Sequence, residues 1–220
     1  MKSHQKGFTL VEIAIVLVII GLLLGGVLKG QELINSAKVK NIASDFRNVQ
    51  VMIYGYQDKF RKLPGDDNTA TARWSLESGH DGDGDGIIEG NWNSETLTDE
   101  SVLIWEHLRR GNLASGSTDF SSANFKSALP TNSEGGRFGL SGAKPISTMN
   151  GGTFYACSTS IDGKFAQQLD LMLDDGAIVT GSVQGTPLGT TTQTQQASGT
   201  SNSSGQKYVE GTRYTICMTY

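Results

Sequence analysis

Residues 7–28 read G-F-T-L-V-E-I-A-I-V-L-V-I-I-G-L-L-L-G-G-V-L, with Thr9 and Glu12 the only markedly polar side chains after Gly7. At about 1.5 Å per residue, a helix of this run spans the ~30 Å hydrocarbon core of a bilayer. Glu12 is out of keeping with that. A lone carboxylate inside a spanning helix costs about 2.5–3.5 kcal/mol. Either a plain signal anchor tolerates the acid near its end, where the side chain snorkels, or the acid is kept for a partner. Cutting after Gly7 would free the amine of Phe8, a positive charge four residues before Glu12. On the same or a neighbouring chain, that amine would neutralise the carboxylate in apolar surroundings. No A-x-A cleavage pattern follows Leu28, where the chain reads K-G-Q-E-L-I-N-S-A. The apolar run therefore stays with the mature protein.

A short basic leader ending in Gly7, then Phe8, Thr9, Leu10, Val11 and Glu12, then an unbroken apolar run, resembles the N-terminus of type IV pilin-like proteins, including the pseudopilins of type II secretion. The resemblance implies a structural subunit rather than an enzyme. A prepilin peptidase would cut after Gly7 and methylate Phe8, and Glu12 would set register during assembly. The implied partners are other pilin subunits through the N-terminal helix, the peptidase, an inner-membrane assembly platform and the membrane itself. Before assembly the chain would sit in a bacterial inner membrane as a single pass, its N-terminus cytoplasmic and its head periplasmic. Afterwards it would lie in a surface pilus or a periplasmic filament. The counterweight is a membrane-anchored calcium-binding protein that never polymerises.

Beyond Leu28 the apolar pattern becomes periodic. Ile34, Ile42, Phe46, Val49, Ile53, Tyr56 and Phe60 recur mostly at steps of three and four, one face of an amphipathic helix. The expected organisation is a leader at 1–7, a transmembrane and assembly helix at 8–28, its amphipathic continuation at 29–63, and a globular head at 64–220. Gly25, Gly26 and Gly30 predict a bend or a melted turn between the two halves, and Pro64–Gly65 a stop. The fold class is α+β: a long helix packed against a head with a small antiparallel sheet and one or two short helices. Residues 98–111 carry Thr98 as N-cap, acids in the first turn, arginines in the last and a closing glycine, which together predict a helix. A second helix is predicted at 165–173. Strands are predicted at 137–141, 153–161, 177–183, 208–209 and 214–220. Residues 185–206, almost all Thr, Ser, Gln and Gly, predict a flexible loop.

The formal net charge is −4, and loss of Lys2 and Lys6 with the leader leaves 16 Lys and Arg against 22 Asp and Glu. Such a surface argues against phosphate binding as the main task, so no nucleic-acid partner is expected. Cys157 and Cys217 are the only cysteines. In an exported domain an even pair predicts one disulfide; two buried free thiols are the alternative.

The densest cluster of chemistry is H-D-G-D-G-D-G-I-I-E-G at 80–90. Carboxylates at every second position converge on one hard cation if glycines let the backbone coil tightly. The run resembles the first part of an EF-hand calcium loop. Asp81, Asp83 and Asp85 stand at the first, third and fifth ligand positions, Gly86 at the turn, Ile87 at the carbonyl position and Glu89 at the ninth. The twelfth position is Trp92, so a bidentate acid must come from Glu95, Asp99 or Glu100. The expected cofactor is Ca²⁺, against a solvated acidic turn. L-P-G-D-D-N at 63–68, Trp74, Trp105 and L-D-L-M-L-D-D-G at 169–176 resemble, more loosely, a layout of prepilin-like heads. His107 reads as a surface residue, His80 as solvated, and the paired acids Asp66–Asp67 as turn and cap residues. No G-x-S-x-G or H-E-x-x-H motif is present.

Overall fold

The computed structural model describes residues 9–149, 151–188 and 207–220. Two compact units divide the chain, Met1–Lys38 and Val39–Tyr220. Helix α1 is Leu10–Phe60. Its opening turns form from a continuous apolar run, and the side chains of Leu10, Leu17, Leu22 and Leu28 are all exposed. No melted turn interrupts α1, which continues as helix through Gly25, Gly26 and Gly30. A glycine costs a helix about 1 kcal/mol but keeps its backbone donor, so the ladder is weakened without being cut. The helix ends where Arg61 turns left-handed at φ 59°, before Pro64 is reached.

In the second unit the predicted stripe becomes the core from Val39 onward. Val39, Ile42, Phe46, Val49, Ile53 and Tyr56 are all buried, while Ile34, expected on the same stripe, is exposed. Five short elements break the stretch after α1: α2 (Ala70–Trp74), α3 (Glu100–Arg110), α4 (Phe125–Ala128), strand β1 (Phe138–Ser141) and strand β2 (Tyr155–Asp162). Helices α2 and α4 are additional to the two short helices predicted for the head. The cap of α3 is Asp99 in extended backbone, not Thr98. Helix α5 (Gly163–Leu173) opens on Asp162, whose carboxylate accepts the Lys164 N–H.

Strands β3 (Val183–Pro187) and β4 (Arg213–Thr219) complete an antiparallel sheet of order β1-β2-β4-β3. This corrects two predictions. Residues 177–182 form a turn rather than a strand, and residues 185–187 belong to β3 rather than to the flexible loop of 185–206. Of that predicted loop, residues 189–206 lie outside the described ones. The polar composition of 183–187 conceals the strand, which is fixed by pairing with β4, Gly185 opposite Ile216. A side chain at Gly185 would meet the Tyr208 ring at 2.7 Å. Tyr208 and Val209, read as a strand, are irregular, although Tyr208 is buried.

The two faces of the sheet bury different clusters. One carries Phe138, Leu140, Ala156, Ile161, Val183 and Ile216 onto α1 and α3. The other gathers Trp92, Ile146, Met149 and Tyr155 around Cys157 and Cys217. The alternation of Tyr155, Ala156 and Cys157 between these clusters is the two-residue period of a strand. Cys157 and Cys217 face each other in the β2–β4 register and form a disulfide, sequence separation 60.

Candidate functional site

Gly7 and Phe8 lie outside the described residues. Glu12 stands in the first turn of α1. Its carboxylate accepts the Thr9 N–H at 2.8 Å and the Thr9 hydroxyl at 2.7 Å, and the Glu12 N–H donates back to the Thr9 hydroxyl at 3.3 Å. This is a capping box, in which an acid three residues after a threonine satisfies donors that the helix start leaves open. The signal T-L-V-E was present in the sequence but was read only for its charge. In the single chain, then, the carboxylate is held by its own helix end.

The acidic run is organised differently from the EF-hand layout. Gly82 lies flat on Asp66, where a Cβ would fall 2.3 Å from the Asp66 Cα, and its N–H donates to the Asp67 carbonyl. The loop therefore wraps the buried Asp66 carboxylate, which accepts the N–H groups of Gly84 and Gly86. Gly86, at φ 93°, supplies the left-handed turn. Carboxylate oxygens of Asp66, Asp83 and Asp85 come within 4.8 Å of one another.

The other predicted residues are placed elsewhere. Asp81 turns away and accepts the Thr71 N–H at 2.6 Å. Ile87 has an exposed side chain, and its N–H donates to Asp85. Glu89 donates its N–H to Glu100, whose carboxylate also accepts the Asp83 N–H. Glu95 pairs with Lys126, and Asp99 accepts the Ser94 hydroxyl. Asp66, read as a turn residue, was missed because its partners stand some twenty residues further along the chain. Burial is the main cause raising the Asp66 carboxyl, with the Asp85 charge adding to it. Three hard oxygen donors around one point suit Ca²⁺, which takes 6–8 oxygens and draws the rest from carbonyls and water.

Behind this loop α3 is buried almost all round, which overturns the surface reading of its polar residues. His107 is fully buried: its Nδ1 accepts the Gly65 N–H at 3.0 Å and its Nε2 contacts the His80 carbonyl at 2.9 Å. An acceptor on one side and a donor on the other fix the neutral tautomer, and burial lowers the tendency of this ring to charge. His80 is also buried, its Nδ1 2.6 Å from Glu106. Asp67 accepts from Tyr56 at 2.7 Å and from Arg73 at 2.6 Å. The adjacent acids Asp66 and Asp67 thus face opposite ways, one into the loop and one onto α1. Both histidines serve packing of the loop against α3.

Residues 2–28 match the family model of the prokaryotic N-terminal methylation motif. No curated protein and no solved structure matches the chain. The match covers the basic leader, Gly7, Phe8, Glu12 and the apolar run together. It supports a type IV pilin-like or pseudopilin prepilin, a substrate of a prepilin peptidase held to the membrane by its apolar helix. Proteins of this kind are structural subunits rather than enzymes.

Proposed function

We propose that this prepilin-type chain is a structural subunit of a type IV pilus or a related filament. A prepilin peptidase removes residues 1–7 and methylates the Phe8 amine. The mature subunit waits in the inner membrane, head on the periplasmic side, where a disulfide persists. Extraction then exchanges lipid for the apolar helices of neighbouring subunits, and Glu12 leaves the Thr9 cap to meet a Phe8 amine. That pair serves register rather than net stability. The observation that carries the reading is an acid in the first turn of a helix whose apolar side chains are exposed from Leu10 to Leu28. Mass spectrometry of the membrane-extracted protein tests it. Loss of residues 1–7 and a methyl group on Phe8 are expected, and an uncut N-terminus throughout the population overturns the reading. A type II secretion pseudopilus uses the same chemistry, and electron microscopy of surface filaments separates the two.

We further propose that Ca²⁺ occupies the point shared by Asp66, Asp83 and Asp85. Three carboxylates this close repel one another unless a cation sits among them, which favours this reading over a solvated turn. If Ca²⁺ is bound but no filament ever forms, the non-polymerising anchored protein is the correct alternative.

A further inference from the structure

The two edges of the exposed face of α1 differ in charge. Lys40, Arg47 and Tyr54 recur at intervals of seven residues and are all exposed, so they line one edge. At 3.6 residues per turn, Asp45 is rotated about 140° from Lys40 and lies on the other edge, with Met52. There a cleft of about 440 Å³ opens between Asp45, Val51 and Met52 on α1 and Leu113, Pro130 and Phe138 beyond it. The half-buried Asp45 carboxylate has no ion-pair or hydrogen-bond partner among the described residues, and burial raises it with no cation offsetting the rise. Arg109, the cation of the cleft itself, is committed to the carbonyls of Ser115 and Ser117. A carboxylate in such surroundings is stabilised by an opposite charge brought within about 4–6 Å. A lysine suits this cleft, because its apolar stem covers the Val51, Met52 and Phe138 side chains while its ammonium reaches the acid.

Lys40 supplies the matching charge. Its ammonium has no partner among the described residues, and it stands on the same helix as Asp45. Within one chain the two do not meet, since about 7.5 Å of helix rise and a different edge separate them. We infer that Lys40 of one copy enters the cleft beside Asp45 of a second copy, so that the basic edge of α1 on one subunit lies along the cleft edge on the next. This contact rests on the filament reading and names where two heads would touch. It joins two different patches, so each end copy keeps one patch free and the contact repeats along a filament. A patch that met its own twin would close a dimer after one step.

The test uses the full-length chain in cells that assemble it. Asp45→Lys and Lys40→Asp are each expected to lose most of the filament yield, and the two together to regain it. Asp45→Cys combined with Lys40→Cys is expected to give a ladder of disulfide-linked copies on non-reducing gels. Positions five apart on one helix lie more than about 7 Å apart between Cα atoms, too far to be bridged within a chain. Either cysteine alone is expected to give no more than a dimer. The cysteine pair reverses no charge, so it keeps the test open if a charge-reversed variant misfolds. Normal yield from Asp45→Lys overturns the inference, as does a folded double reversal that assembles no better than the singles. A ladder just as strong when Lys144→Cys replaces Lys40→Cys also overturns it, because another part of the second copy then fills the cleft. Wild-type filaments without a ladder from the cysteine pair overturn this contact alone. A wild type that never forms filaments overturns the filament reading, and this contact with it.

Discussion

The Tyr56 hydroxyl, on the buried face of α1, donates to the Asp67 carboxylate at 2.7 Å, and Arg73 reaches the same oxygen at 2.6 Å. Burial alone would raise the Asp67 carboxyl. The hydrogen bonds from Arg73, Tyr56 and Thr69 outweigh it and hold the group at about 2, below its ordinary 3.8. A carboxyl whose folded value is depressed contributes stability that is present above the unfolded value and lost as pH falls through the folded one. Acid unfolding of the wild type should therefore steepen between about pH 4 and pH 2, and Asp67→Asn should flatten that window. Asp67→Ala, which leaves Tyr56 and Arg73 unpaired, should cost at most about 3–5 kcal/mol in urea unfolding, less where Arg73 turns to solvent.

Asp170 carries the opposite sign. Burial is the leading cause that raises it to about 6, and the Asp174 and Asp175 charges add to this against hydrogen bonds from Tyr208 and Gly176. A raised carboxyl contributes stability that is full below the unfolded value and lost as pH rises through the folded one. Asp170→Asn should lose this dependence, so that melting temperatures at pH 4.5 and pH 7.5 differ less in the variant than in the wild type. An unchanged difference would show that Asp170 is ionised throughout.

Much of this architecture was legible from periodicity. The stripe of Ile42, Phe46, Val49, Ile53 and Tyr56 is core because steps of three and four place those side chains on one face. Helix α5 and the strands around both cysteines follow from local pattern in the same way. What stayed hidden depends on partners distant in sequence. Val183–Pro187 becomes a strand only because β4 lies beside it, and nothing in V-Q-G-T-P announces that. His107 is buried because Tyr56, Gly65, Trp74 and His80 close around it, so an amphipathic reading of the helix alone mislaid it. Asp66 joins Asp83 and Asp85 only after Gly82 lies against its backbone.

The Cys157–Cys217 bridge joins directly opposed residues of β2 and β4 across 60 positions of sequence. In the chain-entropy model such a closure stabilises by about 4 kcal/mol. Reduction, or Cys157→Ser with Cys217→Ser, should lower the unfolding midpoint accordingly. A thiol count should give no free thiols before reduction and two after it.

Thr9 and Glu12 allow the cap to be separated from the register. Glu12→Val removes both, so it should leave membrane insertion intact and sharply lower filament yield. Thr9→Val removes only the cap, at about 1 kcal/mol in the first turn, and keeps the carboxylate available to a Phe8 amine. It should insert and assemble at close to normal yield. Equal failure of the two variants would assign Glu12 to capping alone.

The acidic loop offers a choice between two ligand sets that single substitutions can decide. If Asp66, Asp83 and Asp85 hold Ca²⁺, then Ca²⁺ should raise the melting temperature and protect residues 66–93 from proteolysis, and chelation should reverse both. Stabilisation grows with ligand concentration relative to the dissociation constant, so the shift should increase with added Ca²⁺. Asp83→Asn and Asp85→Asn should abolish the shift. Asp81→Asn should keep it, because that carboxylate accepts the Thr71 N–H and faces away from the cluster. If Asp81→Asn abolishes the shift as completely as Asp83→Asn, the loop coils as in an EF-hand and the cluster around Asp66 is not the site. A melting temperature indifferent to both Ca²⁺ and chelator removes the cation altogether, leaving Asp66 as a scaffold for the Gly84 and Gly86 N–H groups.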